Sequence, residues 1–226
     1  MRTILIGALC LLAACESATE PPAVYQYETI LPAGYDQSAT TTFPVIFALH
    51  GANGIGDMEP VFRAAAAANP EFIVIMPDAE EHGWVTSSLR GTLADVVANY
   101  RVDSDRIYGT GMSAGAYAIW RLAASRPEDF AALVLVAGGG LDDFACGLSH
   151  IPVWLVHNQN DPVVPPSEST ELYNAIQACD GLAQLTIYTT VPPGRHPHDA
   201  WSATYGGSYF YDWLLRHERG TPGPLD

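Results

Sequence analysis

From residue 24 onward, short apolar runs rich in β-branched residues alternate with longer Ala-rich or amphipathic stretches. No other feature of the chain restricts its fold as much. The pattern predicts strands at 25–31, 45–49, 72–76, 106–110, 132–137, 153–157 and 184–188, with helices at 60–68, 88–100, 114–125, 167–178 and 208–216. The middle strand segments are unbroken apolar runs rather than alternating ones, as expected of strands buried on both faces of a parallel sheet. Strand and helix in regular succession predict an α/β domain with helices on both faces. Such sheets carry their sites beyond the carboxyl ends of the strands. Functional residues are therefore sought just after each run.

Length and composition bound this expectation. The chain has 226 residues, enough for one well-buried domain, expected at 24–226, and too few for two comfortable ones. With 48% apolar and 15% charged residues it matches a globular protein, not a disordered one. The net charge is −15, and all ten basic residues are arginine. An anionic surface of this kind repels nucleic acid and anionic lipid headgroups, so neither is expected as a partner.

The first residues predict export. Arg2 supplies a positive end, and Ile4 to Leu12 form an apolar run too short to span a bilayer. Leu12-Ala13-Ala14-Cys15 resembles a bacterial lipobox, which makes 1–14 a lipoprotein signal peptide and Cys15 the acylated residue; plain cleavage at an Ala-x-Ala site is the alternative. Three acyl chains, at ~0.8 kcal/mol per buried CH₂, would hold such a protein on a membrane essentially for good. Glu16 rather than Asp after the cysteine favours the outer membrane, and 15–23 is expected to be a tether. Cys146 and Cys179 remain in the mature chain, and an oxidising compartment would allow them to pair.

The chemistry centres on Gly111-Met112-Ser113-Ala114-Gly115, which follows an expected strand and opens an expected helix. Taking each fixed residue at ~7%, the bare pattern arises by composition in roughly one chain in fifteen of this length. The strand–turn–helix setting makes it far more specific: glycines permit a sharp turn that exposes the serine and aims the helix N-terminus at it. A serine hydroxyl needs a base, and the base an orienting acid, here in the order Ser, Asp or Glu, His. Asp161 lies in the loop after the strand at 153–157, with Asp142 and Asp143 in reserve. His196 and His198 share the loop after the last strand, and His198, running directly into the next helix, is favoured. His217 ends the last helix, where a cation suits the dipole, so a structural role is expected there. Oxyanion donors are expected at the N–H groups of Ala114 and Ala52, with Gly51 next, while His50 is expected to be a packed, hydrogen-bonded residue.

Several segments carry a resemblance to a known group. They are Leu49-His50-Gly51, the stretch from Tyr100 to Gly111, the stretch from Ser125 to Ala132, Ile151-Pro152-Val153-Trp154, Asp161-x-x-Val164-Pro165, His198-x-x-Trp201 and Tyr211-Asp212-Trp213-Leu214. Together they resemble esterases of the polyhydroxybutyrate-depolymerase and prolyl-oligopeptidase-like group, over about residues 24–215. The resemblance implies an α/β-hydrolase fold with Ser113, Asp161 and His198 as nucleophile, acid and base. Ala114 and Asn158 depart from it, since relatives commonly carry a larger residue and glycine there.

The reaction so implied is acyl transfer through an acyl-enzyme, with no metal or cofactor needed. About fifteen residues separate the strands at 132–137 and 153–157, too few for a sizeable lid. An open site favours short or exposed esters, including those on polymers, with Trp84 and Trp201 as pocket candidates. A peptidase with the same residues, or a ligand-binding surface lipoprotein without catalysis, are the alternatives.

Overall fold

The computed structural model of the protein describes residues 23–68, 71–79 and 83–225. Seven strands form one sheet: β1 (Gln26–Ile30), β2 (Phe43–Leu49), β3 (Ile73–Asp78), β4 (Val102–Met112), β5 (Ala132–Val136), β6 (Val153–Asn158) and β7 (Ala183–Tyr188). Their order is β1-β3-β2-β4-β5-β6-β7. Only the edge pair β1–β3 is antiparallel. The helices are α1 (Glu59–Ala68), α2 (Thr86–Asn99), α3 (Ala114–Ser125), α4 (Ser167–Ala178), α5 (Trp201–Gly206) and α6 (Ser208–Leu215).

The unbroken apolar runs arise because both sheet faces are covered. Val45, Phe47 and Leu49 feed one core, with Leu89 and Leu93 of α2, Ile119 of α3 and Leu172 of α4. Ile46 and Ala48 feed the other, with Phe62 of α1, Tyr205 of α5, and Phe210 and Trp213 of α6. Strand side chains still alternate, but between two apolar layers rather than between core and water. Each large side chain so buried contributes about 1.5–3 kcal/mol, so either layer amply covers the polar cost of its helix ends.

Topology then fixes where a site can form. From β2 the chain steps to β3 on one side, then crosses to β4 on the other, so the order reverses between β2 and β4. The crevice at such a reversal lies beyond the strands' carboxyl ends. Those ends carry His50-Gly51 and Ser113. A Cβ placed on Gly51 would lie 3.4 Å from the Ser113 Cβ, so the two loops touch.

Between β5 and β6 the chain makes only short 3₁₀ turns, at Asp142–Phe144 and Cys146–Leu148. A disulfide joins Cys146 to Cys179, 33 residues on at the end of α4, with Cα atoms 5.1 Å apart. Closing a loop of that size removes denatured-state entropy equivalent to about 4 kcal/mol. Among the described residues no lid domain stands over the strand ends.

Every expected strand and helix has a counterpart, and α5 stands where the sequence pattern predicts none. The expected signal segment, Cys15 and nearly all of the expected tether lie outside the described residues. Among the described residues no helix is long and apolar enough to cross a membrane.

Candidate active site

Ser113 occupies the turn between β4 and α3 with φ 52° and ψ −119°, a backbone conformation that side-chain-bearing residues rarely adopt. Strain of this kind costs on the order of 1–3 kcal/mol and persists only where the surroundings enforce it. Here they do. The Ser113 N–H donates to the Val136 carbonyl at the end of β5 (2.9 Å), and its carbonyl accepts the Ala116 N–H of α3 (3.0 Å). The two motif glycines make the turn possible: a Cβ on Gly111 would collide with the backbone of Gly115, and one on Gly115 with the Leu49 carbonyl.

His198 reaches this serine from the loop between β7 and α5, across 85 residues of sequence. Its Nε2 lies 3.0 Å from the Ser113 Oγ, and its Nδ1 lies 2.6 Å from Oδ2 of Asp161. A carboxylate only accepts, so Nδ1 carries the proton and Nε2 is left free to accept the serine O–H. Asp161 follows β6, and its side chain is sealed from solvent. Its Oδ1 accepts the backbone N–H groups of Val163 (2.8 Å) and Val164 (3.1 Å). The chain Ser–His–Asp is continuous.

The residues around this chain sort themselves clearly. His196 is exposed, and its Nδ1 accepts the His198 N–H at 3.1 Å, so it buttresses the loop and does not reach the serine. Asp142 and Asp143 lie in an exposed 3₁₀ turn, and Glu168 accepts the Tyr117 hydroxyl (2.9 Å). His217 is fully buried and ends the last helix as expected, but not as a cation. Burial, with Arg216 adjacent, pushes it down to about 4.

On the β2 side, Ala52 lines the cleft, and Ala114 is the first residue of α3, where a helix leaves its N–H without an intrahelical partner. His50 is buried and bonded through both nitrogens: Nε2 accepts the Ala79 N–H (3.1 Å), so Nδ1–H donates to the Gly51 carbonyl (2.6 Å). Because C=O and N–H are antiparallel across a planar peptide, fixing the Gly51 carbonyl also fixes the direction of the Ala52 N–H. Trp84 does not line the cleft, contrary to expectation. Its indole N–H donates to the His50 carbonyl (3.1 Å) and its ring packs on the His50 ring at 4.6 Å, behind the loop.

The cleft holds about 580 Å³, and its lining includes Met112, Val163 and Trp201 together with Gly51, Ala52 and Asn53. Trp201 stands edge-on to the His198 ring, 5.2 Å away. A second cleft of similar size, between α2 and Arg126, holds none of these groups.

Two further residues of the site have partners that sequence reasoning does not supply. Asn158 is buried at the end of β6, and its side-chain amide donates to the Pro197 carbonyl (2.7 Å), tying the loop of the acid to the loop of the base. His157, also buried, sits against Asp161. Both read in the sequence as the polar end of a strand, and the partners that give them meaning lie far along the chain.

Several known proteins have similar sequences or folds. The family described as Esterase PHB depolymerase matches residues 76–177, a span that holds Ser113 and Asp161 and ends before His198. A probable feruloyl esterase C of Aspergillus terreus is 25% identical over 175 residues, 72% of this chain and 64% of that one. Poly(3-hydroxyalkanoate) depolymerase C of Paucimonas lemoignei is 28% identical over 128 residues, 48% of this chain and 30% of that one. A solved thermostable esterase shares 25% identity at a TM-score of 0.75, over 85% of this chain and 59% of its own. The chain thus spans less than two thirds of the first of these relatives. By sheet order and fold the chain has the α/β-hydrolase fold, and its sequence is similar to those of esterases.

Proposed function

We propose that the protein is a serine esterase that cleaves carboxylic esters through an acyl-enzyme. One observation carries this reading: the strained Ser113 is joined by hydrogen bonds of 3.0 and 2.6 Å through His198 to a sealed carboxylate. Ser113 Oγ attacks the ester carbonyl while His198 Nε2 takes its proton, and Asp161 stabilises the imidazolium that forms. The N–H groups of Ala114 and Ala52 stabilise the tetrahedral oxyanion. His198 then returns the proton to the leaving alcohol, and water repeats the sequence to release the acid.

An open cleft with an apolar wall suits short or exposed esters. The kinship with a feruloyl esterase and a polyhydroxyalkanoate depolymerase supports aryl or hydroxyacyl esters borne on polymers as the substrate class. We place the enzyme outside the cytoplasm, anchored through acylated Cys15 at the outer membrane, a reading supported by the lipobox-like Leu12-Ala13-Ala14-Cys15 and by the Cys146–Cys179 disulfide.

A panel of acetyl, longer acyl, aryl and acetylated-sugar esters tests the activity, with Ser113→Ala and a peptide p-nitroanilide as controls. Turnover of short or aryl esters, absent in Ser113→Ala and absent on the peptide, is expected. Cleavage of the peptide alone would replace the esterase with a peptidase. Cys15→Ser should leave the membrane fraction, and a soluble wild type would overturn the anchor.

A further inference from the structure

His157 is fully buried, ionisable and unused by the mechanism above, yet it faces the catalytic acid. Its Nε2 lies 3.2 Å from Oδ2 of Asp161, the same oxygen that receives the His198 Nδ1–H, and 3.0 Å from the Val164 carbonyl. Both neighbours are acceptors, so Nε2 must carry a proton whatever the charge of the ring. On the other side, Nδ1 lies 2.7 Å from the Ser169 hydroxyl of α4, which also lies 2.7 Å from the Gly138 carbonyl. The titratable groups that face His157 are Asp161 and His198; α4 and β5 offer it only the hydroxyl and backbone carbonyls.

With this contact four N–H groups face the Asp161 carboxylate, three of them in hydrogen bonds and the His157 Nε2–H at 3.2 Å, shared with the Val164 carbonyl. Val163 and Val164 N–H groups hold Oδ1, and two imidazoles share Oδ2. We propose that His157 is a positioning residue of the reaction, whose Nε2–H locks Oδ2 in the plane of the His198 ring and limits how strongly the carboxylate supports that base. The inference rests on the serine-esterase reading. The Nε2–H polarises Oδ2 whatever the charge of the ring, and burial holds His157 below the ordinary histidine range.

The sign of the effect follows. Without the His157 donor, Oδ2 becomes more basic and holds the His198 imidazolium more tightly. The base then stays protonated to higher pH, and the acid limb of kcat/KM moves up.

The test measures pH profiles of p-nitrophenyl acetate hydrolysis for wild type, His157→Leu and His157→Gln, with Ser113→Ala as control. For His157→Leu we expect kcat to fall about tenfold at unchanged KM, with the acid limb moved up by about half to one pH unit. His157→Gln, whose amide N–H can reach the same oxygen, should restore the limb. A merely structural histidine would lower the yield of folded protein and leave the limb where it is, and that result overturns the proposal. If His157→Leu does not fold, the wild type decides by itself: a through-bond ¹⁵N–¹H correlation must place a proton on His157 Nε2 between pH 5 and 8, and a bare Nε2 overturns the assignment. Turnover retained by Ser113→Ala would instead remove the serine-esterase reading, whatever His157 does.

Discussion

The two partners that serve Ser113 are held in opposite ways. Asp161 follows the end of β6, its side chain fully sealed and faced by four N–H groups. His198 keeps 12% of its side chain exposed and rides on a loop whose preceding residues, Gly194 to His196, face solvent. That loop is held by cross-links: Asn158 to the Pro197 carbonyl, and Asp199 to Arg195 and to the Ser202 backbone and hydroxyl. The acid is sealed just past a strand end, whereas the base is carried on a partly exposed loop that is tied down from the acid's side. Damage at the acid should therefore be severe, and damage along the loop graded.

The largest expected effect is at the sealed end. Asp161→Asn replaces an acceptor with a group that cannot hold the same histidine tautomer, and kcat should fall by about 10³ to 10⁴. A loss under tenfold, measured with short-chain esters, would break the contrast at its strong end.

Acid comes next, because loss of activity at low pH must be divided between base and fold. His217 is pushed to about 4 by burial, against about 6.5 when unfolded. Between those values the unfolded chain binds the extra proton, so stability is complete above pH 6.5 and is lost as pH falls towards 4. The loss is about 3 kcal/mol, or two orders of magnitude in the folding equilibrium. Denaturant unfolding at pH 7 and pH 4.5 measures it, and His217→Gln should flatten the dependence. An equally steep dependence in that variant would assign the acid lability elsewhere.

At the loop, Asn158→Ala removes the tie to the Pro197 carbonyl and should lower kcat about tenfold with little change in KM, the size of one buried hydrogen bond. Unchanged kcat would mean the loop is positioned by Asp199 alone. The smallest effect is expected at His196, which touches the base only through its backbone: His196→Ala should stay within about twofold of wild type. If His196→Ala were inactive and His198→Ala were not, the assignment of the base would be reversed.

How much of this is legible in the sequence follows from what each residue depends on. The strands at 45–49 and 132–137 declare themselves because both faces are buried and every position is apolar. β4 is harder, since it starts at Val102: Phe43 pairs with Val102 but Val45 with Ile107, and the extra residues between them form a half-exposed polar bulge. Ser113, Asp161 and His198, the proposed nucleophile, acid and base, are legible because chain order and strand ends restrict where such residues can stand. Trp84 is misplaced by sequence because an indole ring at a strand–helix junction can turn either way, and here it turns behind His50. His157 and Asn158 act on Asp161 and Pro197 across loops, contacts that no local pattern encodes.

As proposed, Ser113 is the nucleophile and draws its reactivity through His198 from Asp161. Stoichiometric labelling with a fluorophosphonate, read by mass spectrometry of the peptide containing Ser113, tests it most directly. One adduct per chain on Ser113 is expected, with none in Ser113→Ala and labelling slowed by at least a hundredfold, on the order of general-base catalysis, in His198→Ala. An adduct on another residue, or labelling at the wild-type rate without His198, would contradict it.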